Sequence, residues 1–191
     1  MRERPNEDWD GEVPDARSLL GWPLPERRGS IPSLSWLVER LRDSRPDWRL
    51  LESFVEFDPA RYVRKTLAKT RACELLLVCW GPGQGSLVHD HGGSSGVSLL
   101  VRGELRETRY AWAGDRLVPD VSVRAAEGDL LLEESDTIHR VLNTSRHGAV
   151  SLHLYAPPME GMTPYDDQVA SLKPPRPADV GAGRRRRPRA G

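Results

Sequence analysis

From Cys73 to Tyr155 the chain is a succession of short apolar stretches, each cut off by a turn signal, with no helical periodicity between them. The stretches are Glu74–Trp80, Ser86–His89, Val97–Val101, Glu104–Trp112, Val121–Arg124, Asp129–Leu132, His139–Leu142 and Ala149–Tyr155. GPGQG, GGSS, RG, AGDR, EGD and NTSRHG separate them. Gly, Asn, Asp and Ser supply the backbone conformations that reversals need. About eight strands at such short spacing cannot be joined by helical crossovers. The expectation is a mainly β domain, an antiparallel jelly-roll barrel or sandwich.

Upstream, Leu34, Leu37, Val38 and Leu41 fall on one helical face, with Ser33 placed to cap and Pro46 beyond the end, so 33–43 reads as a helix. A second helical piece is expected from Pro59 to about Lys69, and a helical turn near Arg17–Leu20. These helices would pack outside the barrel. The ends are rich in Gly and Pro, which together number 33. Residues 1–30 read as a partly irregular segment, 31–170 as the domain, and 171–191 as a disordered Pro/Arg tail.

The 28 basic and 28 acidic residues cancel, but residues 176–191 hold six Arg and one Asp. The rest of the chain has no basic stripe, so no nucleic-acid partner is expected. No apolar run is long enough for a membrane span and the start lacks a signal h-region, so a cytoplasmic protein is expected. A monomer is expected as well. Cys73 and Cys79 form no CxxC and read as buried thiols.

The five histidines are His89, His91, His139, His147 and His153. His89 and His91 share one face of a strand, and a barrel can bring His139 opposite them. Three imidazoles on one wall suit a metal with open positions. On spacing alone, an HxH pair on a strand is more often incidental than metal-binding. His147 sits in the polar turn NTSRHG and is set aside. Ser151, His153 and Tyr155 line one strand face, with Val150, Leu152 and Leu154 on the other. That row suits either a structural network or a relay that holds the phenol.

The stretch GQGSLVHDHGGSSGVSLLVRG (83–103) is similar to the first cupin motif, G(x)5HxH(x)4E(x)6G, with Gly96 at the Glu position. GDLLLEESDTIHRVLN (128–143) is similar to the second, G(x)5PxG(x)2H(x)3N, with Glu134 and Asp136 replacing Pro and Gly. With the Glu missing, a three-histidine site is expected. YVR (62–64), CWGPGQGSLVHDH (79–91), GELRETRYAW (103–112), IHRVLN (138–143) and SLHLYAPP (151–158) resemble the cysteine dioxygenases, over roughly 31–168.

That resemblance implies a cupin barrel holding Fe(II) on His89, His91 and His139. It implies that Arg64 pairs with the carboxylate of L-cysteine and that Tyr62 shapes the pocket. Tyr155, steadied by His153 and Ser151, would stand over substrate and O2, and both oxygen atoms would pass to sulfur to give cysteine sulfinate. It also implies a cis Ala156–Pro157 bond. Gly96 matches the bacterial pattern, in which the tyrosine has no thioether partner. The alternatives are a dioxygenase of another small thiol such as 3-mercaptopropionate, where Gln tends to replace the Arg at 64, and a non-catalytic metal-binding cupin.

Overall fold

The computed structural model describes residues 19–26, 31–44, 46–165 and 169. Most of the expected irregular N-terminal segment and the whole basic tail lie outside these residues. Leu19 and Leu20 are helical, as expected for a turn there. Two short helices, α1 (Leu34–Asp43) and α2 (Trp48–Leu51), come next, and a 3-10 turn, Glu52–Phe54, follows. Ser33 caps α1, its Oγ accepting from the Trp36 N–H at 3.3 Å. Leu37, Val38 and Leu41 form the buried face of α1.

Eight strands follow among the described residues: β1 (Val63–Lys69), β2 (Glu74–Trp80), β3 (Ser95–Arg102), β4 (Glu104–Ala113), β5 (Arg116–Ala126), β6 (Leu130–Glu133), β7 (His139–Leu142) and β8 (Ala149–Ala156). They form an antiparallel sheet of order β1-β2-β8-β3-β6 and a second of order β5-β4-β7. Among the described residues, no helix is long and apolar enough to cross a membrane.

Two expectations change. Residues 63–69 are a strand, not the end of a helix. β1 pairs along β2, with a bulge between Thr66 and Ala68. The apolar spacing of Val63 and Leu67 suits a helix as well as a strand, and the ladder offered by β2 overrides that weak local preference. Ser86–His89 is not a regular strand either. It follows β7 through scattered bonds, among them Ser86 N–H to Val141 O and a reciprocal 2.9 Å pair between His89 and His139.

The register decides which side chains face the barrel interior. Across the larger sheet run the rows Arg64–Val78–Ser151–Leu100, Thr66–Leu76–His153–Ser98–Leu131 and Glu74–Tyr155–Gly96–Glu133. Side chains alternate along each strand, so these rows share one face. The opposite face carries Leu75, Leu77, Cys79, Val97, Leu99, Val150, Leu152 and Leu154 and packs with Leu37 and Leu41 of α1 in one core. A second core, including Val78, Leu100, Leu105, Leu131 and Val141, fills the space between the sheets. Leu75–Trp80 of β2 is apolar without a break because both faces of the strand are covered. Cys73 and Cys79 are buried and free, and burial pushes the Cys73 thiol up to about 11.

Candidate metal centre and active site

His89, His91 and His139 converge in the barrel interior, each buried, with one potential ligand atom apiece and all three atoms within 4.8 Å of one another. The paired backbones of His89 and His139 bring the first and third together. His91 follows Asp90, whose carboxylate accepts the Gly92 and Thr163 N–H groups and the Tyr165 hydroxyl. The HxH segment is thereby tied to the chain that crosses it at 163–165. Gly92 has φ +59°, and a Cβ there would stand 2.7 Å from the Gly161 carbonyl oxygen, so this turn suits glycine alone.

The outer nitrogens of two rings are engaged. His89 Nδ1 donates to the Leu87 carbonyl at 2.9 Å, and His139 Nδ1 lies 2.7 Å from Glu107 Oε1. A proton on Nδ1 leaves each Nε2 as a bare lone pair facing inward. His91 Nε2 faces His139 Nε2 at 3.1 Å, while His91 Nδ1 finds no partner. Burial, and the neighbouring His139, push the His89 imidazole down to about 3, and burial also lowers His91. Neutral ring nitrogens gathered at one point suit a borderline cation.

Beside this cluster runs a hydrogen-bonded chain. The Trp80 indole N–H donates to Ser151 Oγ at 2.9 Å, and Ser151 Oγ lies 2.8 Å from His153 Nε2. His153 Nδ1 lies 2.7 Å from Ser98 Oγ, which donates to Glu133 Oε1 at 2.8 Å. An indole can only donate and a carboxylate can only accept, so the two ends orient every link. Ser98 gives its proton to Glu133, hence His153 Nδ1 is the protonated nitrogen and Nε2 accepts from Ser151. Burial pushes His153 down to about 4, which keeps it neutral. The Tyr155 hydroxyl lies 3.2 Å from His153 Nδ1. Burial, together with the charge of Glu133 and a hydrogen bond to it, raises the phenol well above its ordinary value.

A cleft opens onto the cluster between Tyr62, Arg64, Val78, Tyr155, Met159 and Met162. Tyr62 stacks on Trp80 with ring centroids 4.7 Å apart. Arg64 Nη1 approaches Met162 Sδ at 3.7 Å, a weak acceptor for a guanidinium. His147 is exposed and apart from the cluster. The Ala156–Pro157 bond is cis.

Three residues here lie within the quoted stretches but at positions to which no motif gives a role: Glu107, Ser98 and Glu133. The available signal was alternation. Glu107 follows Leu105 on the inward face of β4, and Ser98 interrupts an apolar run at an inward position.

A sequence profile described as Cysteine dioxygenase type I matches residues 34–168, which include the three metal-facing histidines and the Ser151–His153–Tyr155 row. The chain belongs to the cysteine dioxygenase type I family. It is 33% identical over 150 residues to cysteine dioxygenase type 1 of Danio rerio, across 73% of this chain and 72% of that protein. The Homo sapiens cysteine dioxygenase type 1 is 29% identical over 148 residues, with the same coverage. The fold is shared with an uncharacterized conserved protein with a double-stranded β-helix domain from Klebsiella pneumoniae, at a TM-score of 0.52 and 15% identity, over 60% of this chain and 87% of that one. This family member thus carries a buried three-histidine metal site.

Proposed function

We propose that the protein is an Fe(II)-dependent dioxygenase that adds both atoms of O2 to the thiol of L-cysteine, giving cysteine sulfinate. The observation that carries this is the cleft that places Arg64 and Tyr155 on the walls of a three-histidine site. His89, His91 and His139 would hold the iron through ring nitrogens. Bound Fe(II) supplies the redox-active centre at which a thiolate and dioxygen meet.

The protein groups around it have separable tasks. Arg64 offers a planar fork to the substrate carboxylate, and Met162 is a partner weak enough to give way. Tyr62, fixed by its stack on Trp80, shapes the same wall. Tyr155 keeps its proton at working pH and so acts as a hydrogen-bond donor rather than a phenolate. His153 and Ser151 hold it there as positioning residues. The reaction needs no external reductant: sulfur loses four electrons, the two oxygen atoms gain them, and both S–O bonds form on one sulfur. The thiol proton is released to solvent.

Oxygen uptake by iron-loaded protein with a panel of thiols tests this. One O2 consumed per cysteine sulfinate formed, with L-cysteine the preferred thiol, is the expected result. Preference for 3-mercaptopropionate would reassign the substrate, and no uptake with any thiol would remove the dioxygenase reading.

A further inference from the structure

The acceptor that Arg64 Nη1 finds across the cleft is a sulfur, Met162 Sδ at 3.7 Å. A thioether is a weak acceptor for a charged fork. Met162 is also held in place. Its neighbour Thr163 donates its N–H to Asp90 Oδ1 at 3.1 Å, and the Thr163 carbonyl accepts from the Asp90 N–H at 3.2 Å. The chain is thus pinned one residue beyond the sulfur.

The protein has three methionines, and Met159 and Met162 both line this cleft, each half-buried. A cleft that admits a small thiol and O2 also admits a peroxide. The two cysteines are poorer targets. Both are buried, and burial raises both thiols, Cys73 to about 11, so little thiolate is present to react.

Oxidising a thioether changes its chemistry without moving it. The sulfur lone pair attacks one peroxide oxygen, the O–O bond breaks and an S–O bond forms. The transferred oxygen gives its proton to the departing hydroxide, which leaves as water. Sulfur loses two electrons and the peroxide gains them. An oxygen added to a sulfur at 3.7 Å reaches the guanidinium at the usual N–H···O distance of about 2.9 Å.

We propose that Met162 is a reversible oxidation site that controls Arg64: its thioether leaves the guanidinium open to a substrate carboxylate, and its sulfoxide occupies it. This rests on the reading of Arg64 as the carboxylate anchor given above. A hydrogen bond to a charged group must then be broken before the substrate takes its place, so affinity for thiols bearing a carboxylate falls. A thiol without one is indifferent.

The full chain, treated with hydrogen peroxide before iron is loaded and then freed of it, is compared with untreated protein at equal Fe(II) content. Peptide fragment masses locate the added oxygen. Anaerobic calorimetry gives Kd for L-cysteine and for cysteamine without turnover. Expected are one oxygen on Met162 and Kd for L-cysteine raised about tenfold, the equivalent of roughly one charged hydrogen bond. Kd for cysteamine should stay within about two-fold, and methionine sulfoxide reductase should restore L-cysteine binding. Met159→Leu should keep this response and Met162→Leu should abolish it, each judged against its own untreated sample. Met162 left intact by a dose that oxidises free methionine, or an oxidised Met162 with unchanged L-cysteine affinity, overturns the proposal. An equal loss for cysteamine does so too, because the sulfoxide then blocks the cleft rather than holding Arg64. If untreated protein binds L-cysteine no better than cysteamine, the anchor reading of Arg64 fails and the proposal with it. No oxygen uptake from a protein that does bind L-cysteine removes only the dioxygenase reading.

Discussion

Glu107 Oε1 lies 2.7 Å from His139 Nδ1, and both side chains are buried. The other carboxylate oxygen accepts from Arg109 Nε at 3.3 Å. The pair fixes which nitrogen of His139 faces the metal position and makes that nitrogen a better donor. Glu107→Gln should keep the fold but weaken divalent metal binding by roughly 10–100-fold. Chelator competition on wild type and variant checks this, with His147→Ala as a control. Loss of metal in the control and not in Glu107→Gln would reverse the ligand assignment.

Gly96 concerns space rather than charge. A Cβ there would stand 2.3 Å from Tyr155 Cε1 and 2.4 Å from Cδ1. Each backbone is paired on both sides, Gly96 between Tyr155 and Glu133 and Tyr155 between Gly96 and Glu74, so neither can easily retreat. Gly96→Ala should displace the phenol and cost about 1–3 kcal/mol of stability. The thermal midpoint should fall, and turnover per folded molecule should fall further than metal content. Peptide mass analysis of the wild type should find Tyr155 unmodified, because neither cysteine of the chain is at position 96. An unchanged midpoint in Gly96→Ala would mean that this face is looser than described.

His153 gives stability a pH dependence. Its folded value is about 4, below the ordinary 6.5. Between these values the unfolded chain binds the proton that the folded chain refuses. Stability is therefore complete above about pH 6.5 and is lost as pH falls towards 4, at up to about 1.4 kcal/mol per unit. His89, pushed down to about 3, acts in the same direction over a longer range. Urea unfolding of metal-free wild type and His153→Gln, at pH 7 and pH 5, isolates the first group. The wild type should lose about 2 kcal/mol more than the variant over that interval. Parallel losses would show that His153 is already accessible to protons.

How much of this was legible in the sequence follows from what periodicity can carry. β2, β3, β4 and β8 could be placed because apolar runs ended at recognisable turns, and the Ser151–His153–Tyr155 row because alternation fixes a face. The three histidines came from spacing and motif together. β1 was misread because Val63 and Leu67 fit two periods, and only the partner strand decides between them. For Ser98, Glu107 and Glu133 alternation can suggest a face but not a partner. Each acts across a strand pair or between sheets, and register joins residues such as Gly96 and Glu133 that lie 37 positions apart in the chain.

Substrate choice turns on Arg64. β1 and β2 pair Arg64 with Val78, and both line the cleft that holds Tyr155. L-Cysteine offers a carboxylate to this guanidinium and an amine and thiol to the metal. Cysteamine lacks the carboxylate and 3-mercaptopropionate lacks the amine, so each forgoes one anchor. Removing one partner of a half-buried, hydrogen-bonded charge pair strands the other, which commonly costs several kcal/mol. Since each 1.4 kcal/mol is about tenfold in kcat/KM, L-cysteine should exceed cysteamine by at least about a hundred-fold. Arg64→Gln keeps polarity but loses charge and fork, so it should raise KM for cysteine and lower its kcat/KM more than that for 3-mercaptopropionate. Rates for all three thiols with both proteins, at matched iron content, decide the matter. If Arg64→Gln lowers all three equally, Arg64 supports the fold of the site rather than selecting its substrate.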